Sequence, residues 1–101
     1  MHLQFYKYHG AGNDFIIADN RTGVLSDIFS EQVRQMCSRR FGVGSDGFIL
    51  LSSHTYADFQ MDFYNPDGSG ATFCGNGARC IVAFAYRLGI IGDETEFKAA
   101  D

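Results

Sequence analysis

Tyr64-Asn65-Pro66-Asp67-Gly68-Ser69-Gly70-Ala71-Thr72-Phe73-Cys74-Gly75-Asn76-Gly77-Ala78-Arg79-Cys80 decides the fold, because a strand, a tight turn and a helix entrance follow one another in a single run. Asn-Pro-Asp-Gly puts Pro66 where a type I turn needs its fixed φ, and Gly68 where the chain needs φ > 0. After a small-residue connector, Cys74-Gly75-Asn76-Gly77 reads as the entrance of a helix, since Ala78 to Leu88 are good helix formers and Gly89 ends them. The first turn of a helix carries backbone N–H groups without helical acceptors and the positive end of the macrodipole. Two glycines there let a ligand approach without meeting a Cβ. An oxyanion such as a carboxylate suits that place. A thiol beside it ionises more easily, with pKa values falling from about 8.5 toward roughly 3.5–7.5. Cys74 is therefore the leading candidate for a reactive group. The alternative is a small buried residue that closes the helix.

Outward from this run, the 101 residues fit one domain, residues 1–101. An apolar fraction of 46%, with ten Phe and five Tyr, supplies a core without metal or disulfide staples. Two lysines and six arginines against a net charge of −4 leave no basic stripe, which argues against a nucleic-acid partner. No secretion signal opens the chain, and its longest apolar run, Cys80 to Tyr86, is too short for a membrane span. Three cysteines without a C-x-x-C pair fit a reduced, cytoplasmic protein.

Strands are predicted over Leu3 to Tyr8, Phe15 to Ala18, Phe48 to Leu51, Asp58 to Tyr64 and Glu94 to Ala99. The first two form a hairpin about His9-Gly10-Ala11-Gly12-Asn13-Asp14. A helix from Asp27 or Ser30 to Arg40 carries Phe29, Val33, Met36 and Cys37 at helical spacing, with Gly42 to close it. The second helix is apolar nearly all round and is expected to be buried. The order β-β-α-β-β-α-β with brief loops predicts an α+β fold. Its strands are mostly antiparallel, without βαβ crossovers, and wrap around the central second helix. A final strand ending at Asp101 would be an unpaired edge, so a fragment of a longer chain is expected.

Cys80 lies six positions beyond Cys74, on another side of the helix, and reads as core, as does Cys37. Gly10-Ala11-Gly12-Asn13-Asp14 lacks the third glycine and the helix of a dinucleotide loop, and Gly42-Val43-Gly44-Ser45-Asp46-Gly47 lacks the lysine of a P-loop. Asn13 and Asn65 are each either a turn residue or an amide that reaches a ligand. His2, His9 and His54 are scattered, so no metal site is expected, and neither Lys7 nor Lys98 sits in a pyridoxal-phosphate context.

The glycine motifs at 9–15 and 42–47, with Asn65-Pro66-Asp67-Gly68-Ser69 and Cys74-Gly75-Asn76-Gly77-Ala78-Arg79-Cys80, together resemble the amino-terminal half of diaminopimelate epimerases. The resemblance implies interconversion of LL- and meso-diaminopimelate without a cofactor, in lysine and cell-wall synthesis. It implies two cysteines flanking the substrate α-carbon, one removing a proton as thiolate and the other returning one as thiol. Cys74 matches the first of the pair. Gly75 and Asn76 match backbone positions that hold the α-carboxylate, and Asn13 and Asn65 match side chains that contact substrate. Gly47 stands where some members of the family have a glutamine. The second thiol would come from a missing carboxy-terminal half or from a second copy in a homodimer, leaving this portion inactive alone. A proline-type racemase of the same fold, and a non-catalytic binding or oligomerisation module, are the competing readings.

Overall fold

The computed structural model describes residues 4–10, 12–28, 30–71, 75–92 and 95–99. β1 (Tyr6–Gly10) and β2 (Asn13–Asn20) form the expected hairpin, pairing from Tyr6↔Ile17 to Gly10↔Asn13. α1 (Ser30–Cys37) then carries the chain to β3 (Gly47–Ser52), which lies parallel to β2. β4 (Phe59–Tyr64) returns antiparallel to β3. β5 (Gly70–Ala71), α2 (Gly75–Arg87) and β6 (Phe97–Ala99) follow. The sheet runs β1-β2-β3-β4, and two strands share the far side of β4: β6 parallel along Phe59–Met61, β5 antiparallel along Phe63–Tyr64.

The fold is α+β, with three antiparallel pairings and two parallel ones. The parallel pairings were not expected. Each helix is a crossover that joins two parallel strands, β2 to β3 through α1 and β4 to β6 through α2. A parallel pair needs such a long connection, and the two helices supply it. β6 is paired along its β4 side only, so among the described residues its other side is the open edge the sequence predicts.

β2 and β3 are buried on both faces, so their side chains alternate between two cores. Phe15, Ile17, Ile49 and Leu51 join Phe59, Met61, Cys80, Ile81, Phe84 and Ala85 beneath α2. Ile16, Ala18, Phe48 and Leu50 join Leu25, Val33 and Cys37 beneath α1. β1 to β4 all touch α2. That helix is nevertheless buried on one face only. Gly77, Cys80, Ile81, Phe84 and Ala85 point inward, whereas Arg79, Ala83, Tyr86 and Arg87 are exposed. Alanine and tyrosine on the outer face account for the all-round apolar reading, since neither needs burial.

Helix ends follow local chemistry. Gly89 has φ 78°, and Ile90 N–H donates to Ala85 C=O while Gly89 N–H donates to Tyr86 C=O. This is a Schellman closure, which satisfies the last carbonyls of α2. α1 stops at Cys37 rather than Arg40, because Gly44 and Ser45 fold back and donate to the carbonyls of Met36 and Cys37. Phe29, expected on the apolar face of α1, lies outside the described residues.

Candidate active site

The turn after β4 has the predicted form. Gly68 N–H donates to Asn65 C=O at 2.9 Å, Asn65 N–H donates to Ser69 C=O at 2.8 Å, and Gly68 has φ 89°. A type I turn followed by a left-handed glycine reverses the chain with a bulge and lays β5 along β4. Asp67 accepts from the Ser69 N–H and hydroxyl at 2.9 and 2.6 Å, bracing the turn. The Asn65 amide is engaged here too, donating to Ser69 Oγ at 3.1 Å. Of its two possible roles, that of turn residue is the one this arrangement displays.

Cys74 lies outside the described residues, with Thr72 and Phe73. α2 begins at the very next residue, Gly75. By helix geometry the N–H groups of Gly75, Asn76 and Gly77 have no acceptor within α2. The two glycines differ. Gly75 is exposed, and a Cβ there would meet nothing within 4 Å. Gly77 is buried, and a Cβ would press on Met61, Phe63 and Ile49 at 3.2–3.3 Å. Gly75 leaves the helix mouth open, while Gly77 lets α2 sit close to the sheet.

The β1–β2 hairpin abuts this mouth. A Cβ on Gly10 would lie 3.0 Å from both the Asn76 carbonyl oxygen and Cys80 Sγ, so glycine permits the contact. Across it, Asn76 Nδ2 donates to Asn13 Oδ1 at 2.7 Å. The first and last glycine motifs thus meet through two predicted site residues.

Behind Asn13 stands a polar cluster that the sequence reading missed. Asn13 Nδ2 donates to Asp46 Oδ2 at 3.2 Å, and the Asp14 N–H donates to the same oxygen at 3.1 Å. Asp46 N–H returns a bond to Asp14 C=O at 2.9 Å. Arg39 bridges both acids, reaching Asp14 Oδ1 at 2.7 Å and Asp46 Oδ1 at 3.0 Å. Lys7 Nζ lies 2.7 Å from Asp14 Oδ2 and also donates to the Gly44 carbonyl. Arg39 and then Lys7, by hydrogen bonding, hold the Asp14 carboxyl well below the usual carboxylate range, against the opposing effect of burial. The bonds that Arg39 donates to Asp14 and Asp46 raise its guanidinium in turn. Asp14 and Asp46 sit inside two motifs already singled out, so their place beside Asn13 and the glycines was a usable signal. Lys7 and Arg39 carried none, because strand pairing and a crossover bring them in.

Gly47 starts β3, and a Cβ there would meet the Phe63 ring at 2.7 Å and the Phe15 ring at 3.3 Å. Its smallness therefore makes room for two aromatic rings. Cys37 and Cys80 are core residues, as expected, 3% and 2% exposed. Burial pushes the Cys37 thiol up, with a bond from Ser45 opposing it. Among the described residues no His, Cys, Asp and Glu side chains group as metal ligands, and no helix is long and apolar enough to cross a membrane.

Comparison with known proteins bears on the same residues. The family model described as diaminopimelate epimerase matches residues 5–99. Diaminopimelate epimerase of Flavobacterium psychrophilum is 48% identical over 99 residues, covering 98% of this chain and 39% of that protein. The Chlorobaculum tepidum protein of that name is 57% identical over 92 residues, covering 89% and 35%. A Bacillus anthracis phenazine biosynthesis protein of the PhzF family superposes with a TM-score of 0.71 at 18% identity, covering 97% of this chain and 33% of that one, which shows a shared fold. The chain thus spans little more than a third of the length of the two epimerases it matches. With its three glycine motifs inside the matched region, the chain belongs to the diaminopimelate epimerase family.

Proposed function

We propose that this chain is the amino-terminal part of a cofactor-independent epimerase that interconverts LL- and meso-diaminopimelate, in cytoplasmic lysine and cell-wall synthesis. Cys74 is the acid/base group on one face of the substrate α-carbon. The observation that carries the reading is the Asn76–Asn13 bond at the mouth of α2, which joins two family motifs next to the residue after Cys74. Taking a proton from an α-carbon pushes negative charge onto the carboxylate. The N–H groups of Gly75 and Asn76 suit that charge, being fixed donors that need no rearrangement as it develops. The same dipoles favour a thiolate at Cys74. Asn13, and Asn65 through the amide oxygen that its turn does not use, contact the remainder of the substrate.

Inversion requires a second acid on the opposite face, in the other protonation state. Cys37 and Cys80 are 3% and 2% exposed, so neither serves. The second thiol comes from a further segment of the protein or from a second copy. Incubating LL-diaminopimelate in heavy water tests this. The 101-residue chain should give no inverted product as a monomer, and inverted product that appears only at concentrations where it dimerises assigns the second thiol to the second copy. An epimerase continuing into a second segment should place deuterium at the α-carbon, with proline as the control substrate. Cys74→Ala in that longer protein should lower the rate roughly 10²–10⁴-fold, the usual worth of a positioned acid or base. Undiminished inversion by Cys74→Ala contradicts the reading.

A further inference from the structure

We propose that Asp46 is a positioning residue, whose carboxylate sets the direction of the Asn13 amide and, through it, that of the Asn76 amide in the first turn of α2. This rests on the reading that the mouth of α2 takes the substrate. An amide side chain has a donor end and an acceptor end of nearly equal shape, so only its neighbours decide which way it faces. An ionised carboxylate accepts and cannot donate. Asn13, facing Asp46 Oδ2 at 3.2 Å, must therefore turn its NH2 toward it. Its Oδ1 is left for Asn76. Asn76 must then present its own NH2, at 2.7 Å, with its oxygen on the side away from Asn13. One accept-only group thus orders two ambiguous amides in series.

Asp46 is itself clamped. Arg39 Nη2 holds Oδ1 at 3.0 Å, the Asp14 N–H donates to Oδ2 at 3.1 Å, and the Asp46 N–H donates to the Asp14 carbonyl at 2.9 Å. Arg39 is anchored in turn by Asp14, at 2.7 and 3.2 Å. Asp46 therefore has no freedom to follow Asn13 should that amide reverse. The 42–47 glycine loop, to which no substrate contact is assigned, acquires a role: it delivers the carboxylate that orders the hairpin and α2.

Side-chain amide NMR of this chain provides the test. The wild type should show coupling across the hydrogen bond from Asn76 Nδ2 to Asn13 Cγ and a slowly exchanging Asn76 Nδ2 proton. Asp46→Ala should abolish the coupling and speed that exchange roughly tenfold, about the worth of one hydrogen bond. Adding Asn13→Asp to Asp46→Ala should restore the Asn76 signal, because the new carboxylate at 13 again accepts only. A merely structural Asp46 offers no route to such a rescue. An unchanged Asn76 signal in Asp46→Ala overturns the proposal. Should that variant not fold, the wild type decides by itself: an Asn76 oxygen facing Asn13 overturns the proposal equally. An epimerase assay that fails leaves these amide signals where they are, so the two readings fail separately.

Discussion

At Asp14 two cations converge on one carboxylate, 2.7 Å each from Lys7 and Arg39, in a side chain 14% exposed. The carboxyl is held below its usual range, so its contribution to stability is complete above the unfolded value of about 3.9 and is lost as pH falls below it. Asp14→Asn should lower the melting temperature at pH 7 by roughly 5 °C, a modest loss because the partner cations stay in contact with solvent. The gap from wild type should narrow as the pH drops below about 4. A gap that is constant with pH would mean the ion pairs contribute nothing. Gly75 and Asn76 were legible at the mouth of α2 from the helix-entrance pattern, whereas Asn13, left open by its own residues, reaches that mouth through the hairpin. The partition between Gly75 and Gly77 was not, since it depends on which side of α2 meets Met61 and Phe63. Nor was the use of the Asn65 amide inside its own turn.

The turn at 65–69 acts on the scale of elements, because its bulge directs the chain from β4 into β5 and on toward α2. It also packs on the start of α1. A Cβ on Gly68 would fall 2.1 Å from the Ser30 carbonyl oxygen, and φ there is 89°. Gly68→Ala faces both the left-handed backbone and a collision with backbone that cannot swing aside. It should cost roughly 2–4 kcal/mol, read as a fall in the urea midpoint. A loss below about 0.5 kcal/mol, the level of an ordinary surface change, would show that the turn relaxes freely. Turn chemistry was legible here because proline and glycine have few conformations to choose from. The pairing of the strands was less so. Brief loops suggested antiparallel neighbours, yet β2 and β3 run parallel because α1 bridges them. β5 is two residues long, and its pairing rests on the bulge rather than on any pattern of its own.

Taken whole, the molecule is a sheet with a helix on each side, and its two described thiols are divided between the cores. Cys37 lies under α1 and Cys80 under α2. Each was legible as core from helical spacing, and the double-sided burial of Phe48 to Leu51 from its unbroken apolar run. The placement of Lys7 and Arg39 around Asp14 was not, because it exists only once the hairpin and the α1 crossover are both formed. Reaching Cys37 or Cys80 requires opening a core, whereas Cys74 adjoins the exposed Gly75. Iodoacetamide labelling of the native chain across pH, with each site resolved by mass, therefore tests the reactive-thiol reading most directly. Cys74 should label alone, with a midpoint about one pH unit or more below that of an ordinary thiol, and Cys37 and Cys80 should follow only in denaturant. A Cys74 that resists labelling until the chain unfolds, or that labels with the midpoint of an ordinary thiol, contradicts it.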